Sequence, residues 1–340
     1  MPTTEHDLSS TSDAELLIPA LQRMGLVQPG QAVRFTPLTG GVSSLILKVQ
    51  TDDQVFCVKR ALPQLKVKAL WEAPVKRNRD EVAWLRFAHQ VLPQAVPAVL
   101  GDDEQDMVFA MAYLDSQTHP VWKQQLLDGV IHTHTAQAVA QRLAGLHAAS
   151  ARQPALLSRF DHDDDFVAIR LSPYFLHTAR QQPSVANSLE QLVAQTLAHR
   201  SVLVHGDVSP KNVLVGPLGP VFLDAECACW GDPAFDLAFV LNHLLLKAVW
   251  QPAYAPALRS SFDALHTAYL AVVDWEDRDA LEARTCHVLA GLLLARIDGK
   301  SPVEYLTQTH QHDFVRRQAM AWLHQPAKRL ADMALAWNPS

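Results

Sequence analysis

Residues 202–238 read VLVHGDVSPKNVLVGPLGPVFLDAECACWGDPAFDLA, with five carboxylates and one asparagine placed between apolar runs. The run before His205 is typical of a short buried strand that ends at a Gly-Asp turn. The segments NVLV and PVFLD flank the turn-forming GPLG and predict a β-hairpin. This hairpin would bring Asp207, Asn212 and Asp224 towards the same end of the sheet. Carboxylate and amide oxygens that converge in this way suit a hard divalent cation such as Mg²⁺.

The spacing H-x-D-x-x-x-x-N, formed here by His205, Asp207 and Asn212, matches the catalytic loop of kinases. In that loop the aspartate accepts the proton of the acceptor hydroxyl, and the asparagine binds a metal ion. Asp224 follows one hairpin later, where kinases place a metal-binding aspartate. Turn preference could explain any one of these residues, but not the spacing of all three. The stretch therefore predicts phosphoryl transfer, with Asp207 as the catalytic residue and Asn212 and Asp224 as metal ligands.

The N-terminal third contains the other parts that phosphoryl transfer needs, namely a glycine loop, a strand lysine and a helix glutamate. Gly40, Gly41 and Ser43 lie between two predicted strands in LTGGVSSLILKV. Lys59 interrupts the apolar strand VFCVKR, where an ammonium group requires a partner. Glu81, in the helical segment RDEVAWLR, could supply that partner. Each feature alone also fits a hairpin or a solvated surface, but their order along the chain predicts an ATP-binding lobe.

Composition and charge restrict the class of protein. The 340 residues are 49% hydrophobic and 19% charged, which is typical of a folded chain long enough for two lobes. A net charge of −6 without a dominant basic run disfavours nucleic acid as a partner. The polar N-terminus does not resemble a signal peptide, and polar residues interrupt the apolar segment 234–250, which disfavours a membrane span. We therefore expect a cytoplasmic protein with buried free cysteines rather than disulfides or a zinc site.

The pattern of periodicity changes along the chain. A helix over 13–25 precedes strand-like runs at AVRFTPL, SSLILKVQ, VFCVKRAL and MVFAMAYL, with one helix between the last two. After Leu114 helical segments dominate, apart from the hairpin around GPLG. This layout predicts a small β-rich lobe with one helix between its strands, followed by a larger α-rich lobe.

The motifs HGDVSPKN, FLDAE and WGDPAFDLA resemble those of the aminoglycoside phosphotransferase and choline kinase family of small-molecule kinases. The resemblance implies an α+β, two-lobed, protein-kinase-like fold, with a nucleotide-clamping lobe over residues 1–111 and a catalytic, acceptor-binding lobe over 112–340. It implies ATP and Mg²⁺ as cofactors and a small hydroxylated metabolite as the acceptor. It also implies that adenine binds near backbone atoms of Ala112 and Tyr113.

Within that family the closest likeness is to the 5-methylthioribose kinases. The segment KRALPQLKVKALWEAPVKRNRDEVAWLRF resembles their lysine strand, tryptophan-containing loop and following helix, which implies that Trp71 approaches the acceptor. LDAECACWG resembles their Asp-x-Glu metal motif and makes Glu226 a further candidate ligand, the alternative being a solvated residue at a strand end. The catalytic loop departs from theirs at VSPKN, residues 208–212. An Arg-Arg pair of theirs is also replaced here by Ala295 and Arg296.

Loss of one guanidinium changes the recognition of anions and hydroxyls, so we expect Arg296 to bind a sugar-like acceptor other than methylthioribose. A polar cluster lies near the end of a predicted helix and consists of Arg296, Asp298 and Lys300. Basic residues at this position could instead interact favourably with the helix dipole. In GDPAFDLA, Asp232 has the position of a helix cap. Asp236 is followed by LAFVL, so we expect a buried residue that braces the catalytic loop.

Other functions fit parts of the sequence. The acidic run FDHDDDF, residues 160–166, could attract a cationic aminoglycoside or choline-type acceptor, although such runs commonly form solvated loops. A nucleotide-binding pseudokinase is a second alternative, yet the lysine, the catalytic aspartate and the metal-binding aspartate that such proteins commonly lose are all present. A protein kinase is disfavoured, because no activation segment from Asp-Phe-Gly to Ala-Pro-Glu occurs.

Overall fold

The computed structural model describes residues 12–38, 44–62 and 77–339. The chain divides into two compact units, Met1–Asp115 and Ser116–Ser340. The boundary predicted from the sequence, between residues 111 and 112, lies just before the division that the structure has.

The first unit is built on an antiparallel sheet. Its helices are α1 (Ser12–Arg23) and α2 (Arg77–Val91), and its strands are β1 (Arg34–Pro37), β2 (Ser44–Gln50), β3 (Val55–Ala61), β4 (Val99–Asp103) and β5 (Val108–Ala112). The described strands follow the order β1-β2-β3-β5-β4. Leu17 and Leu21 of α1 share a buried core with Val49 of β2 and Phe56 of β3. The predicted β-rich lobe is therefore confirmed.

Strand β4 was not predicted from the sequence. It has the sequence VLGDD, in which a glycine and two carboxylates hide the apolar alternation that indicates a strand. Its pairing with β5 shifts register between Val99 and Gly101, as expected at a sheet edge where the backbone bulges.

The second unit is mainly helical. Its helices are α3 (Trp122–Leu127), α4 (Thr133–Ala151), α5 (Leu156–Phe160), α6 (Asp164–Phe166), α7 (His177–Gln181), α8 (Ala186–Ala198), α9 (Pro233–Trp250), α10 (Ala255–Val272), α11 (Arg278–Asp298), α12 (Thr309–His324) and α13 (Leu330–Ala336). A π-helix, Val167–Leu176, joins α6 to α7. The prediction of a larger α-rich lobe is confirmed.

Two small ladders interrupt these helices and carry the predicted site. Strand β6 (Val202–Val204) pairs antiparallel with β9 (Cys229–Gly231), and β7 (Val213–Gly216) forms a hairpin with β8 (Gly219–Phe222). The predicted strand before His205 and the predicted hairpin are both confirmed.

Helix α9 is the core element of the second unit. It is long and apolar enough, by length and composition alone, to cross a membrane, yet nearly all of it is buried within this unit. Pro233 occupies its first position, where the missing N–H costs nothing. Helices α10 and α11 pack against it, which explains why α9 is apolar on most of its surface.

Candidate active site

The turn before Asp207 fixes where that residue stands. Gly206 has φ of +78°, and a Cβ at this position would lie 2.6 Å from the carbonyl oxygen of Cys227. Glycine alone accommodates both constraints. The chain therefore turns sharply after β6, and Asp207 follows with only 4% of its surface exposed.

The carboxylate of Asp207 faces two cations. Arg170 Nη2 lies 2.7 Å and Lys211 Nζ 3.2 Å from Asp207 Oδ2. Arg170 Nε also donates to the Gly206 carbonyl oxygen at 2.6 Å. Although burial opposes the charge of Arg170, the Asp207 carboxylate raises its pKa. These contacts fix the Asp207 side chain and balance its charge.

Arg170 was missed by the sequence analysis. It lies in the π-helix and is buried. It belongs to no motif, but it is the one charged side chain in the apolar run FVAIRLSPYFL, residues 166–176. That isolation is a usable signal, because a buried guanidinium requires a counter-charge.

The predicted metal ligand Asn212 lies in a 3₁₀ turn, Pro210–Asn212, before β7. Its Nδ2 donates to the Asp207 carbonyl oxygen at 3.1 Å, so its amide oxygen is the atom that could hold a metal ion. The Asn212 carbonyl oxygen accepts the N–H of Leu223 at 2.9 Å. Asp224 follows Leu223 directly, so the two predicted ligands stand at adjacent strand ends.

His205 links the catalytic loop to the same strand end. The N–H of Asp207 donates to His205 Nδ1 at 3.2 Å, so the proton of the neutral ring is on Nε2, which donates to the Leu223 carbonyl oxygen at 3.1 Å. Burial lowers the pKa of His205, in agreement with a neutral ring.

Asp224 has φ of +68°, a conformation that costs about 1 kcal/mol or more for a residue with a Cβ. Strain of this kind is typical of functional sites. Glu226 is only 5% exposed, so the alternative of a solvated residue is wrong. In the described ranges no three His, Cys, Asp or Glu side chains cluster closely enough for a metal site of their own. The donors present, one amide oxygen and two carboxylates, fit a hard cation that completes its shell with phosphate oxygens.

Asp236, in the first turn of α9, braces the catalytic loop as predicted. Its Oδ2 accepts the N–H of His205 at 2.6 Å and its Oδ1 accepts the N–H of Gly206 at 2.8 Å. His147 Nε2 lies 3.2 Å from Oδ2, and the Tyr269 hydroxyl lies 2.7 Å from His147 Nδ1. Although burial opposes the charged form, the hydrogen bond from His147 helps to lower the pKa of Asp236.

Asp232 caps α9, also as predicted. Its Oδ1 accepts the N–H of Ala234 at 3.0 Å. Arg284 binds the same carboxylate through two nitrogens, at 3.0 and 3.2 Å. This second partner, 52 residues further along the chain, was not predicted from the sequence.

The predicted pair in the first unit is formed. Lys59 Nζ lies 2.8 and 2.7 Å from the two carboxylate oxygens of Glu81, and both side chains are buried. Ala112 donates its N–H to the Ala98 carbonyl oxygen at 2.9 Å, and the contact of adenine with the backbone of Ala112 and Tyr113 stays a prediction. The predicted site residues Gly40, Gly41, Ser43 and Trp71 lie outside the described residues.

Arg296 lies in the last turn of α11. Its guanidinium stacks over the Tyr174 ring at 5.8 Å, and Nη1 donates to the carbonyl oxygen of Ser301. Asp298 binds Arg316 instead, at 2.8 and 2.9 Å. The structure therefore gives the predicted polar cluster at this helix end separate partners.

The acidic run 160–166 is partly neutralised. Asp161 lies 2.7 Å and Asp163 lies 3.7 Å from guanidinium nitrogens of Arg200. A cationic acceptor would have to compete with this arginine for the two carboxylates.

Comparisons with known proteins agree with this architecture. The sequence profile of the phosphotransferase enzyme family (APH) matches residues 34–281. Methylthioribose kinase of Yersinia pseudotuberculosis serotype O:1b (strain IP 31758) is 24% identical over 259 residues, which are 68% of this chain and 63% of that protein. The chain thus spans less than two thirds of the length of the curated relatives it matches first.

Solved structures share the fold at low identity. A choline/ethanolamine kinase family protein from Mesorhizobium loti matches with a TM-score of 0.53 and 15% identity, over 97% of this chain and 99% of that one. Amicoumacin kinase hAmiN, solved with AMP-PNP, Ca²⁺ and Ami, matches with a TM-score of 0.58 and 12% identity, over 96% and 97%. The predicted protein-kinase-like, α+β fold and the resemblance drawn from the motifs are confirmed. The chain belongs to the phosphotransferase enzyme family.

Proposed function

We propose that the protein is a kinase that transfers the γ-phosphoryl group of ATP, with Mg²⁺, to a hydroxyl of a small, sugar-like metabolite. One observation carries the proposal: the buried Asp207 carboxylate, the Asn212 amide and the strained Asp224 stand together around one hairpin. Backbone strain of the kind that Asp224 shows beside this loop is common at active sites, which supports the proposal.

Each residue has a definite task in this reaction. The acceptor oxygen bonds to the γ-phosphorus, the bond from that phosphorus to the leaving ADP oxygen breaks, and Asp207 takes the hydroxyl proton. Asn212, Asp224 and Glu226 would hold Mg²⁺, which supplies positive charge to the phosphate oxygens. Arg170 and Lys211 keep Asp207 in place through contacts of 2.7 and 3.2 Å.

The first unit supplies the nucleotide contacts in this proposal. Lys59, oriented by both Glu81 oxygens, binds the phosphates as the corresponding strand lysine does in kinases. Gly40, Gly41 and Ser43 cover the phosphates, and the backbone of Ala112 and Tyr113 meets the adenine. The methylthioribose kinase relative supports a sugar-like acceptor, and AMP-PNP with Ca²⁺ in amicoumacin kinase supports a nucleotide bound with a divalent cation.

The test is ADP release from Mg²⁺-ATP in the presence of a panel of sugars, polyols, sugar acids, aminoalcohols and aminoglycosides. We expect turnover with at least one hydroxylated small molecule, abolished by chelation of the metal and by Asp207→Asn. Turnover that survives Asp207→Asn undiminished would remove the proposed mechanism. ATP binding without transfer to any acceptor would favour a pseudokinase.

A further inference from the structure

Helix α9 carries a line of side chains that leads away from the catalytic loop. Asp236, Phe239, His243 and Lys247 follow one another at spacings of three or four residues, so they share one face of the helix. Asp236 holds the catalytic loop, and Lys247 lies about 16 Å further along the axis, at about 1.5 Å per residue. The Phe239 ring lies 5.8 Å from the His243 ring and 5.7 Å from the Tyr174 ring.

Lys247 on this face and three basic side chains from other elements, Lys123, Lys211 and Arg296, act electrostatically on His243, and we call these four side chains the basic cluster. Burial and the positive charges of this cluster hold the pKa of His243 well below its usual range. Lys211 connects the cluster to the reacting centre, because its ammonium also lies 3.2 Å from Asp207. The cluster therefore begins at the catalytic carboxylate.

Within the described ranges, two of the four side chains in the basic cluster form ion pairs with carboxylates. Lys123 binds Glu304, and Lys211 binds Asp207. Among the described residues, Lys247 and Arg296 have no carboxylate within ion-pair distance. Lys247 is only 1% exposed, and its ammonium lies 4.3 Å from the centre of the Tyr305 ring.

Buried donors beside Lys247 also lack acceptors. Arg296 Nε and the Tyr305 hydroxyl are both inaccessible to solvent and have no hydrogen-bond partner within the described ranges. A buried donor without an acceptor destabilises the folded protein, and an uncompensated buried charge does so more strongly. If these side chains only filled space, methionine and phenylalanine would do so without that cost.

We propose that Lys247, Arg296 and Tyr305 bind an anionic group, a carboxylate or a phosphate, on the acceptor whose hydroxyl meets Asp207. The inference rests on the proposed kinase function and names its substrate class: small hydroxylated anions such as sugar acids or sugar phosphates. An anionic oxygen would complete the Tyr305 and Arg296 hydrogen bonds and neutralise Lys247. The same cluster would repel choline-type and aminoglycoside acceptors, which are cations.

The experiment compares binding with transfer. D-Gluconate, D-glucose 6-phosphate, inorganic phosphate, neutral D-glucitol and cationic choline are titrated calorimetrically into wild type, Lys247→Met, Tyr305→Phe and Lys328→Met. The last is the matched control, since Lys328 is an exposed lysine between α12 and α13. The gluconate and phosphate arms distinguish a carboxylate from a phosphate ligand. ADP release is measured with the same compounds.

We expect at least one anion to bind wild type and Lys328→Met about 10-fold or more tightly than D-glucitol, and Lys247→Met and Tyr305→Phe to lose that preference. Equal binding of anions and D-glucitol, no binding of any anion, or a Lys247→Met profile equal to that of Lys328→Met would overturn the inference. Anion binding without phosphoryl transfer would support the anion site and contradict the proposed kinase function. Transfer to D-glucitol with no preference for anions would support the kinase function and contradict the anion site.

Discussion

The carboxylate of Asp236 accepts the backbone N–H of Gly206 at 2.8 Å, so the first turn of α9 holds the loop that carries Asp207. The second oxygen accepts the N–H of His205 at 2.6 Å. Two main-chain donors immediately before Asp207 are thus tied to a helix that runs through the core. The position of the proposed catalytic residue is therefore set by the packing of α9.

Asp236→Asn should destabilise the protein and lower turnover. The amide keeps one acceptor but turns its NH₂ donor either towards the Gly206 N–H or towards the His205 N–H and His147, and breaking such a buried charged network costs about 3–5 kcal/mol. Chemical denaturation measures the change, and Asp332→Asn, at an exposed position in the first turn of α13, is the control. Equal stability of the two variants would contradict the bracing role.

The hydrogen bonds of Asp236 also predict how the unfolding free energy depends on pH. Because the pKa of Asp236 is lowered in the folded protein, its contribution to stability is complete above its ordinary value of 3.8 and disappears as pH falls through the lowered value. The difference in unfolding free energy between wild type and Asp236→Asn should therefore shrink only at strongly acid pH. A difference that already vanished near pH 6 would assign the stabilisation to another group.

Asp207→Asn should reduce turnover by about 10²–10⁴-fold, the usual effect of removing a general base. Nucleotide affinity should change little, since the proposed phosphate contacts are Lys59 and the metal ligands. Steady-state ADP release and nucleotide titration separate the two effects. Asp332→Asn again serves as the control, and wild-type turnover in Asp207→Asn would remove Asp207 from the proposed role.

Asp224→Ala should weaken the dependence of nucleotide binding on divalent metal. Carboxylates that face the β- and γ-phosphates without a cation would repel them, so wild type should bind ATP far better with Mg²⁺ than with a chelator. Calorimetry under both conditions gives the ratio for each protein. Equal ATP affinity of the wild type with Mg²⁺ and with chelator would exclude the proposed metal site.

Arg170→Met and Lys211→Met should separate structural from catalytic effects at Asp207. Arg170 is buried and also binds the Gly206 carbonyl, so its loss should cost about 3–5 kcal/mol of unfolding free energy together with turnover. Lys211 is 43% exposed, so its loss should cost less than about 1 kcal/mol while turnover still falls. Arg170→Lys should rescue only part of the loss, because an ammonium lacks the guanidinium fork. Equal destabilisation by the two methionine variants would contradict this division of roles.

The catalytic loop and the hairpin were predictable from the sequence because their residues lie close together in the chain. The Lys59–Glu81 pair was predictable because it joins one strand to the next helix. The partners of these residues were not predictable in this way. Arg170 lies 37 positions before Asp207 in the chain, and Tyr305 lies more than fifty positions after Lys247. Only tertiary packing brings such pairs together, and neither side chain belongs to a motif.

Burial also decided a case for which the sequence allowed two interpretations. Glu226 follows an apolar residue, and the same pattern occurs at a solvated strand end or at a buried ligand. The structure shows Glu226 to be buried, and it divides the predicted cluster of Arg296 and Asp298 between separate partners. Periodicity indicates which face of an element is apolar, but not which polar group another element will place against it.

The buried charge of Lys247 should make the ligand-free protein less stable than a variant with an uncharged side chain at this position. Burial, reinforced by the charge of Lys123, lowers its pKa from 10.5 to about 8. The other groups that act on it are Arg296, Glu304 and the Tyr305 ring. A shift of this size corresponds to a cost of about 3 kcal/mol for the charged form, and that cost applies fully below the lowered pKa.

Lys247→Met should therefore raise the melting temperature at pH 7 by several degrees, because it fills the same space without a charge. The cost to wild type is relieved as pH rises from about 8 towards 10.5, so the difference between the two proteins should fade over that interval. Differential scanning calorimetry across pH 6–11 measures it, and Lys328→Met, which removes an exposed charge, should match wild type throughout. An anion that binds the basic cluster should stabilise wild type and leave Lys247→Met unchanged, which would close the gap at pH 7. A Lys247→Met variant less stable than wild type at pH 7 would show that the ammonium has a structural partner, and the cost assigned to it here would be wrong.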